Sequence, residues 1–355
     1  MIVICHGIIS IYMNKVINKV ENGAMNYTID DIAKELGMSK TTVSRAISGK
    51  GRISEATRER VNKFIKAINY TPNAVARSLA ASKTFNIGIV FPHDSTLDEM
   101  PYFHNVLAGA CETAADHNYD VLVILADNDD ISALQRAVLN KKLDGVIVSR
   151  CIKDSKVISY LKQNDLPFLV LGNPLDDDVL YIDNDNRGAA AKIIETLANQ
   201  SIRKFALIGG NDDLFVTQSR LEGYCEGLSN SEIEVDKDLI FLNMHKGERL
   251  GHVVKSCLNS GVECIVCMDD VLCNGILVYL QNNGVNVPKD VKLVSFYDSN
   301  LLLNHKPSIT SLSFDSRYFG GKGVETLLNK IDDGVASSVT FTDYDIKIRE
   351  STGTR

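Results

Sequence analysis

Ser39, Lys40, Thr41, Thr42, Ser44 and Arg45 place hydroxyl, ammonium and guanidinium donors within a single short stretch of the chain. On a helix, Lys40, Thr41, Ser44 and Arg45 fall near the N-terminal, solvent-facing side, while Val43, Ala46 and Ile47 form the opposite apolar face. An arginine can bond guanine with two donors at once, and threonine offers both a hydroxyl and a methyl group, so such a face can read base edges as well as neutralise phosphate. The plainer alternative is a solvated polar helix face. The surrounding elements separate the two.

Upstream, Ile29, Ile32, Ala33 and Leu36 repeat at i, i+3, i+4 and i+7, with Thr28 and Asp31 spaced as a capping box and Gly37 as the stop. Ser39 then caps the helix of interest after a tight turn. Beyond the flexible Ser48 to Gly51 connection, Ser54 caps a third helix whose apolar face is Val61, Phe64, Ile65 and Ile68. Three short helices sharing one core, with a tight turn before the polar one, form a helix-turn-helix pattern. Thr71-Pro72 opens a further short helix, Asn73 to Ala80. Carrying Val75 and Leu79 but too short to be stable alone, it needs a partner.

Charge is distributed to match. Residues 25–84 hold 11 Lys plus Arg against 5 Asp plus Glu, whereas the chain as a whole carries a net charge of -7. A basic head on an acidic body implies that only the head meets phosphate.

From Phe85 the texture changes to apolar strands alternating with amphipathic helices. Strands are expected near Ile87, Val121, Gly145, Phe168, Phe205, Cys264 and Lys292. That order predicts an α/β body of doubly wound parallel sheets, and some 270 residues exceed what one such sheet usually needs, so two lobes with a cleft between them are expected. Cys264-Ile-Val-Cys267 has the spacing of half a zinc site, but strand residues three apart point to opposite faces, so these read as core thiols and no metal is expected. No phosphate-binding glycine loop, nucleophile elbow or zinc-binding triplet is present, which argues against an enzyme or a bound cofactor. Residues 1 to 24 lack a basic leader and a cleavage site and read as an extension without function, the alternative being a flexible arm; the expected location is the cytoplasm, with no membrane partner.

These residues resemble the lactose repressor and galactose repressor family of bacterial transcription regulators. The resemblance is carried by the stretch from Thr28 to Lys50, by Arg58 to Tyr70, and by Thr71-Pro-Asn-Ala-Val-Ala-Arg-Ser-Leu-Ala. It continues in Asn86-Ile-Gly-Ile-Val-Phe-Pro, Asp144-Gly-Val-Ile-Val, Tyr181-Ile-Asp-Asn-Asp, Ser219-Arg-Leu-Glu-Gly-Tyr and Ser295-Phe-Tyr-Asp. It implies a helix-turn-helix head at 25–70, a hinge at 71–84 and an effector-binding and dimerisation domain at 85–355 resembling a periplasmic sugar-binding protein. Lobe one is then expected at about 85–184 plus 315–335 and lobe two at about 185–314 plus 336–350, with crossings near Asp185, Asp315 and Val335.

The resemblance further implies a homodimer, or a dimer of dimers, on double-stranded operator DNA. Lys40, Thr41 and Arg45 would read the major groove, with Ser39, Thr42 and Ser44 beside them. The hinge residues Asn73, Val75, Ala76 and Leu79 would lie in the minor groove, Leu79 as an apolar wedge. For a small effector, expected to be a sugar, Arg220 and Asp298 match family pocket positions, as do Asp269 and Phe314. His93 and Asn173, each just past a strand, are added because open α/β sheets bind ligands at that edge. Asp298 as a loop cap and Arg220 as a surface ion pair are the structural alternatives. Within the family the maltose or oligosaccharide-responsive branch looks most similar; a global catabolite regulator with a protein corepressor is the rival, and a sugar transport protein would lack the basic head.

Overall fold

The computed structural model describes residues 27–48, 51–68, 70, 78, 81–93, 101–244 and 248–353. The expectations for residues 1–24, for the hinge residues Asn73, Val75, Ala76 and Leu79, and for most of the loop between Asp94 and Phe103 lie outside the described residues. The chain divides into two units, 1–83 and 84–355.

The first unit contains α1 (Ile29–Leu36), α2 (Lys40–Ser48) and α3 (Glu55–Ala67). Local chemistry sets each start. Thr28 Oγ1 accepts the Asp31 amide while the Asp31 carboxylate accepts the Thr28 amide at 3.0 Å, a reciprocal capping box. Gly37, at φ 62, ends α1 in the left-handed region that glycine adopts without strain. Ser54 caps α3 by accepting from the Thr57 amide. Ile32, Leu36, Val43, Ala46, Val61, Phe64 and Ile68 then meet in one core, and Arg60 donates to the Leu36 carbonyl at 3.1 Å, tying α3 to the end of α1.

The second unit holds two six-stranded sheets. The first contains β1 (Asn86–Phe91), β2 (Asp120–Leu125), β3 (Gly145–Val148), β4 (Phe168–Leu171), β5 (Tyr181–Asn184) and β11 (Val339–Phe341), in the order β11-β5-β4-β3-β1-β2. Helices α4 (Pro101–Asp116), α5 (Ser132–Leu139) and α6 (Lys156–Gln163) connect its strands. All its pairings are parallel.

After β5 the chain enters lobe two with α7 (Asn186–Ala198), β6 (Phe205–Ile208), α8 (Phe215–Asn230), β7 (Ile240–Phe241), α9 (Glu248–Asn259), β8 (Cys264–Cys267), α10 (Asp270–Asn282), β9 (Lys292–Ser295), α11 (Asn300–Leu303) and β10 (Thr310–Ser313). It returns to lobe one with α12 (Ser316–Asp333) and β11, and ends with β12 (Asp345–Lys347) in lobe two. The second sheet runs β12-β10-β9-β8-β6-β7, parallel except for β12, which pairs antiparallel with β10. An exit strand that comes directly from the other lobe has no crossover helix to reverse it.

One boundary differs from the sequence reading. The third crossing lies between Phe341 and Asp345, not near Val335, because Val339–Phe341 hydrogen-bonds alongside β5 and so extends lobe one. A strand of three exposed or half-buried residues carries too little hydrophobic signal to be seen beforehand.

Helix pairs close each lobe through glycine. A Cβ on Gly109 of α4 would sit 1.8 Å from the Arg317 carbonyl of α12, and one on Gly223 of α8 would sit 2.2 Å from the Arg187 carbonyl of α7. Only glycine permits backbones so close. Cys264 and Cys267 fall in different core clusters on opposite sides of β8. Among the described residues no group of three or more His, Cys, Asp or Glu side chains is placed to hold a metal ion.

Candidate effector cavity and DNA-facing helix

In α2 the polar residues divide into two roles. Ser39 Oγ accepts the Thr42 amide at 3.1 Å and bonds the Thr42 hydroxyl at 2.8 Å, so this pair forms the helix cap. Lys40, Thr41, Ser44 and Arg45 are exposed, whereas Val43 and Ala46 are buried in the core of the head. Lys40 pairs with Asp30 of α1 at 2.9 Å, both side chains being more than half exposed. The arginine stem runs beside Gly51, where an added Cβ would come within 3.0 Å of Arg45 Cδ. The result is a solvent-facing patch of two cations and two hydroxyls on one helix.

In the second unit a cavity of about 130 Å³ lies between the lobes. Lobe one supplies Tyr102 and Phe103 from α4, Ser149, Arg150 and Cys151 after β3, Gly172 and Asn173 after β4, and Asp183 from β5. Lobe two supplies Val216 and Arg220 from α8, Tyr297 after β9 and Phe314 after β10. Both sheets thus present the carboxyl ends of their strands, the edge at which α/β sheets bind ligands.

The polar groups here are held in place by backbone. Arg220 donates to Asn186 Oδ1 at 3.2 Å and to the Met268 carbonyl at 2.5 Å. Burial pulls its pKa down, and the negative charge of Asp269 opposes the pull. Asp183 accepts from the Asn173 amide at 3.2 Å and the Asn184 amide at 2.8 Å, yet burial still pushes its carboxyl up to about 6. The hydroxyl of Ser149 is buried at the cavity wall and has no hydrogen-bond partner among the described residues. A buried hydroxyl without a partner costs free energy that a ligand hydroxyl or a water would recover. Aromatic surface completes the lining: Tyr102 meets Tyr297 edge-on at 5.9 Å, and Arg150 sits over Phe103 at 5.5 Å.

Of the anticipated effector residues, Arg220, Asn173 and Phe314 meet at this cavity. Asp269 stands behind it, capping α10 through the Leu272 amide at 2.7 Å and acting on Arg220 by its charge. Two anticipated residues lie away from this cavity. Asp298 does not line the cavity: Arg349 and Ser311 take up its carboxylate. His93 lines a separate space with Asp127, Asn128 and Asn211, and its amide donates to Asp127. Asp183, Ser149, Asn186 and Tyr297 were not anticipated. The only sequence signal for Asp183 was its place in the Tyr181-Ile-Asp-Asn-Asp stretch.

Comparison with known proteins agrees with both units. Residues 28–73 match the bacterial regulatory proteins of the lacI family, and residues 84–340 match the periplasmic binding proteins and sugar binding domain of the LacI family. The chain belongs to the LacI family. This LacI-family protein is 31% identical over 315 residues to the HTH-type transcriptional regulator MalR of Streptococcus pneumoniae, spanning 87% of the chain and 94% of that relative. It is 29% identical to catabolite control protein A of Staphylococcus epidermidis, with 87% and 94% covered. In fold it resembles the lac repressor dimer bound to operator and the anti-inducer ONPF, with TM-score 0.73 and 22% identity over 92% of this chain and 99% of that one. It also resembles the CelR-cellobiose complex, with TM-score 0.69 and 24% identity over 92% and 99%. As a LacI-family regulator it is a DNA-binding transcription regulator with a sugar-binding type of effector domain. No helix among the described residues is long and apolar enough to cross a membrane.

Proposed function

We propose that this regulator represses carbohydrate-utilisation genes as a homodimer on a palindromic operator, and that a sugar in the interlobe cavity changes its operator affinity. The observation that carries the effector role is the cavity itself: a half-buried cation at Arg220, a half-buried carboxylate at Asp183 and the Ser149 hydroxyl, unpartnered among the described residues, set among Tyr102, Tyr297 and Phe314. Carboxylate and guanidinium serve hydroxyl donors and acceptors, and ring faces cover the apolar side of a sugar. The arrangement holds a ligand rather than transforms one, and we assign it no catalysis and a cytoplasmic setting. Likeness to MalR favours maltose or a related oligosaccharide. On the DNA side, Lys40, Thr41, Ser44 and Arg45 meet the major groove, and Asn73, Val75, Ala76 and Leu79 of the hinge enter the minor groove.

A panel of mono- and oligosaccharides, read by thermal shift and by operator affinity, tests this. At least one, maltose first, is expected to raise the melting temperature and change operator affinity, and Asp183→Ala is expected to abolish both effects while leaving ligand-free DNA binding intact. A response to a phosphoprotein and to no saccharide would favour the global catabolite reading, which the likeness to catabolite control protein A supports.

A further inference from the structure

We propose that a clasp between the lobes holds the effector cavity too small for a disaccharide, so that an oligosaccharide effector acts by parting the lobes rather than by drawing them together. This rests on the reading of the cavity as the effector site.

The clasp is built from backbone. Where the chain leaves β3 in lobe one it runs antiparallel to the segment entering α8 in lobe two, bridging Ile152 to Leu214. The Lys153 amide donates to the Asp213 carbonyl at 2.9 Å, and the Phe215 amide donates to the Cys151 carbonyl at 3.3 Å. Phe215, although it belongs to lobe two, packs against the lobe-one cluster that contains Val148, Cys151 and Ile158. A second tie stands across the cavity: the Tyr297 hydroxyl of lobe two bonds Ser316 at the start of α12 in lobe one at 2.9 Å, and its ring meets Tyr102.

Size decides what these ties do. The cavity of about 130 Å³ is well below the roughly 300 to 1,000 Å³ of pockets that enclose drug-sized ligands. Cys151 and Leu214, both clasp residues, form part of its wall, so on that side it stays closed while the clasp is shut. On the far side lies a second space of about 240 Å³, lined by His93, Asp127, Asn128, Ile152 and Asn211. Arg150 lines both spaces. Parting Ile152 from Leu214 joins them into one trough with polar groups along its length, which suits a saccharide of two or more units. A ligand that fits only the parted form shifts the population toward it, by as much as it discriminates between the two.

Two variants of the full chain test the clasp, with maltose and maltotriose as probes. Ile152 and Leu214 flank their hydrogen bonds as a non-hydrogen-bonded antiparallel pair, for which Cα atoms lie about 4.5 Å apart, within reach of a disulfide. The I152C/L214C protein, oxidised with oxidised glutathione and its link verified by peptide mapping, is expected to lose maltotriose binding by calorimetry and to regain it on reduction. Phe215→Ala keeps the amide but removes the ring; it is expected to bind maltotriose about tenfold more tightly, because less is lost on opening. Wild-type binding by the oxidised protein, or weaker binding by Phe215→Ala, would overturn the clasp and show closure around the ligand instead. If the wild type binds no saccharide, the sugar reading fails by itself. The clasp is then judged by hydrogen exchange: slow exchange at the Lys153 and Phe215 amides supports it, and exchange as fast as in exposed loops refutes it.

Discussion

The carboxylate of Asp298 accepts from both terminal nitrogens of Arg349, at 2.7 and 2.8 Å, joining the loop after β9 to the final segment of the chain. Ser311 adds a third donor at 2.7 Å, and both charged side chains are about one seventh exposed. Arg349 also donates to the Ile309 carbonyl, so the pair fastens the C-terminus to lobe two.

Removing one partner therefore strands the other in a nearly dry site. Asp298→Ala is expected to destabilise the second unit by about 3 kcal/mol, in the range for breaking a buried pair. Chemical denaturation measures this. The variant should still bind effector under conditions where it is folded; selective loss of the ligand response at unchanged stability would return Asp298 to the pocket.

Asp270, in the first turn of α10, is fully buried, and desolvation pushes its carboxyl up to about 6. Its folded pKa thus exceeds its unfolded value of 3.8. The sign follows: the protonated form is favoured by folding, so its contribution is fully present below pH 3.8 and is lost as pH rises through about 6. Asp270→Asn should be more stable than wild type at pH 7.5 by about 2 to 3 kcal/mol, with the gap closing toward pH 4.5. Urea melts of both proteins at the two pH values give the comparison, and a gap independent of pH would contradict it.

Asp183 shows the same direction of shift, but in the cavity. A carboxylate accepts two hydroxyl donors, and a protonated carboxyl accepts fewer. Sugar affinity should accordingly fall as pH drops below about 6, and Asp183→Asn should be weaker at pH 7.5 and lack this dependence. Titration calorimetry at pH 5 and 7.5 distinguishes the two proteins.

On α2, cap and reading face separate experimentally. Ser39→Ala removes an acceptor for the Thr42 amide and should cost the head about 1 kcal/mol of stability while leaving base preference unaltered. Arg45→Ala should cost about 1 to 3 kcal/mol of discrimination between operator and random DNA. Lys40→Ala, on the same reading face, should likewise lower discrimination and, by removing a cation, also flatten the salt dependence. Binding titrations against operator and scrambled duplex, at two salt concentrations, resolve all three.

Much of this molecule is written in patterns only a few residues long. The Thr28 to Asp31 box, the Gly37 stop, the Ser54 cap and the alternation of strands with helices are legible because capping, left-handed turns and hydrophobic periodicity act within one or two turns of chain. Arg220, Asn173 and Phe314 were within reach because a motif or a strand end marked them. Tertiary structure decided the rest. Asp298 and Asp183 look alike as acidic residues near strand ends, yet Arg349, 51 positions away, claims the first, while the second is left half-buried at the cavity, held by backbone amides and within the field of Arg220. Three-residue β11 moved the last crossing past Phe341 for the same reason, since its pairing partner β5 lies more than 150 residues earlier. Charge, burial and strand pairing at such separations depend on which segments the fold brings together, and no local spacing encodes that.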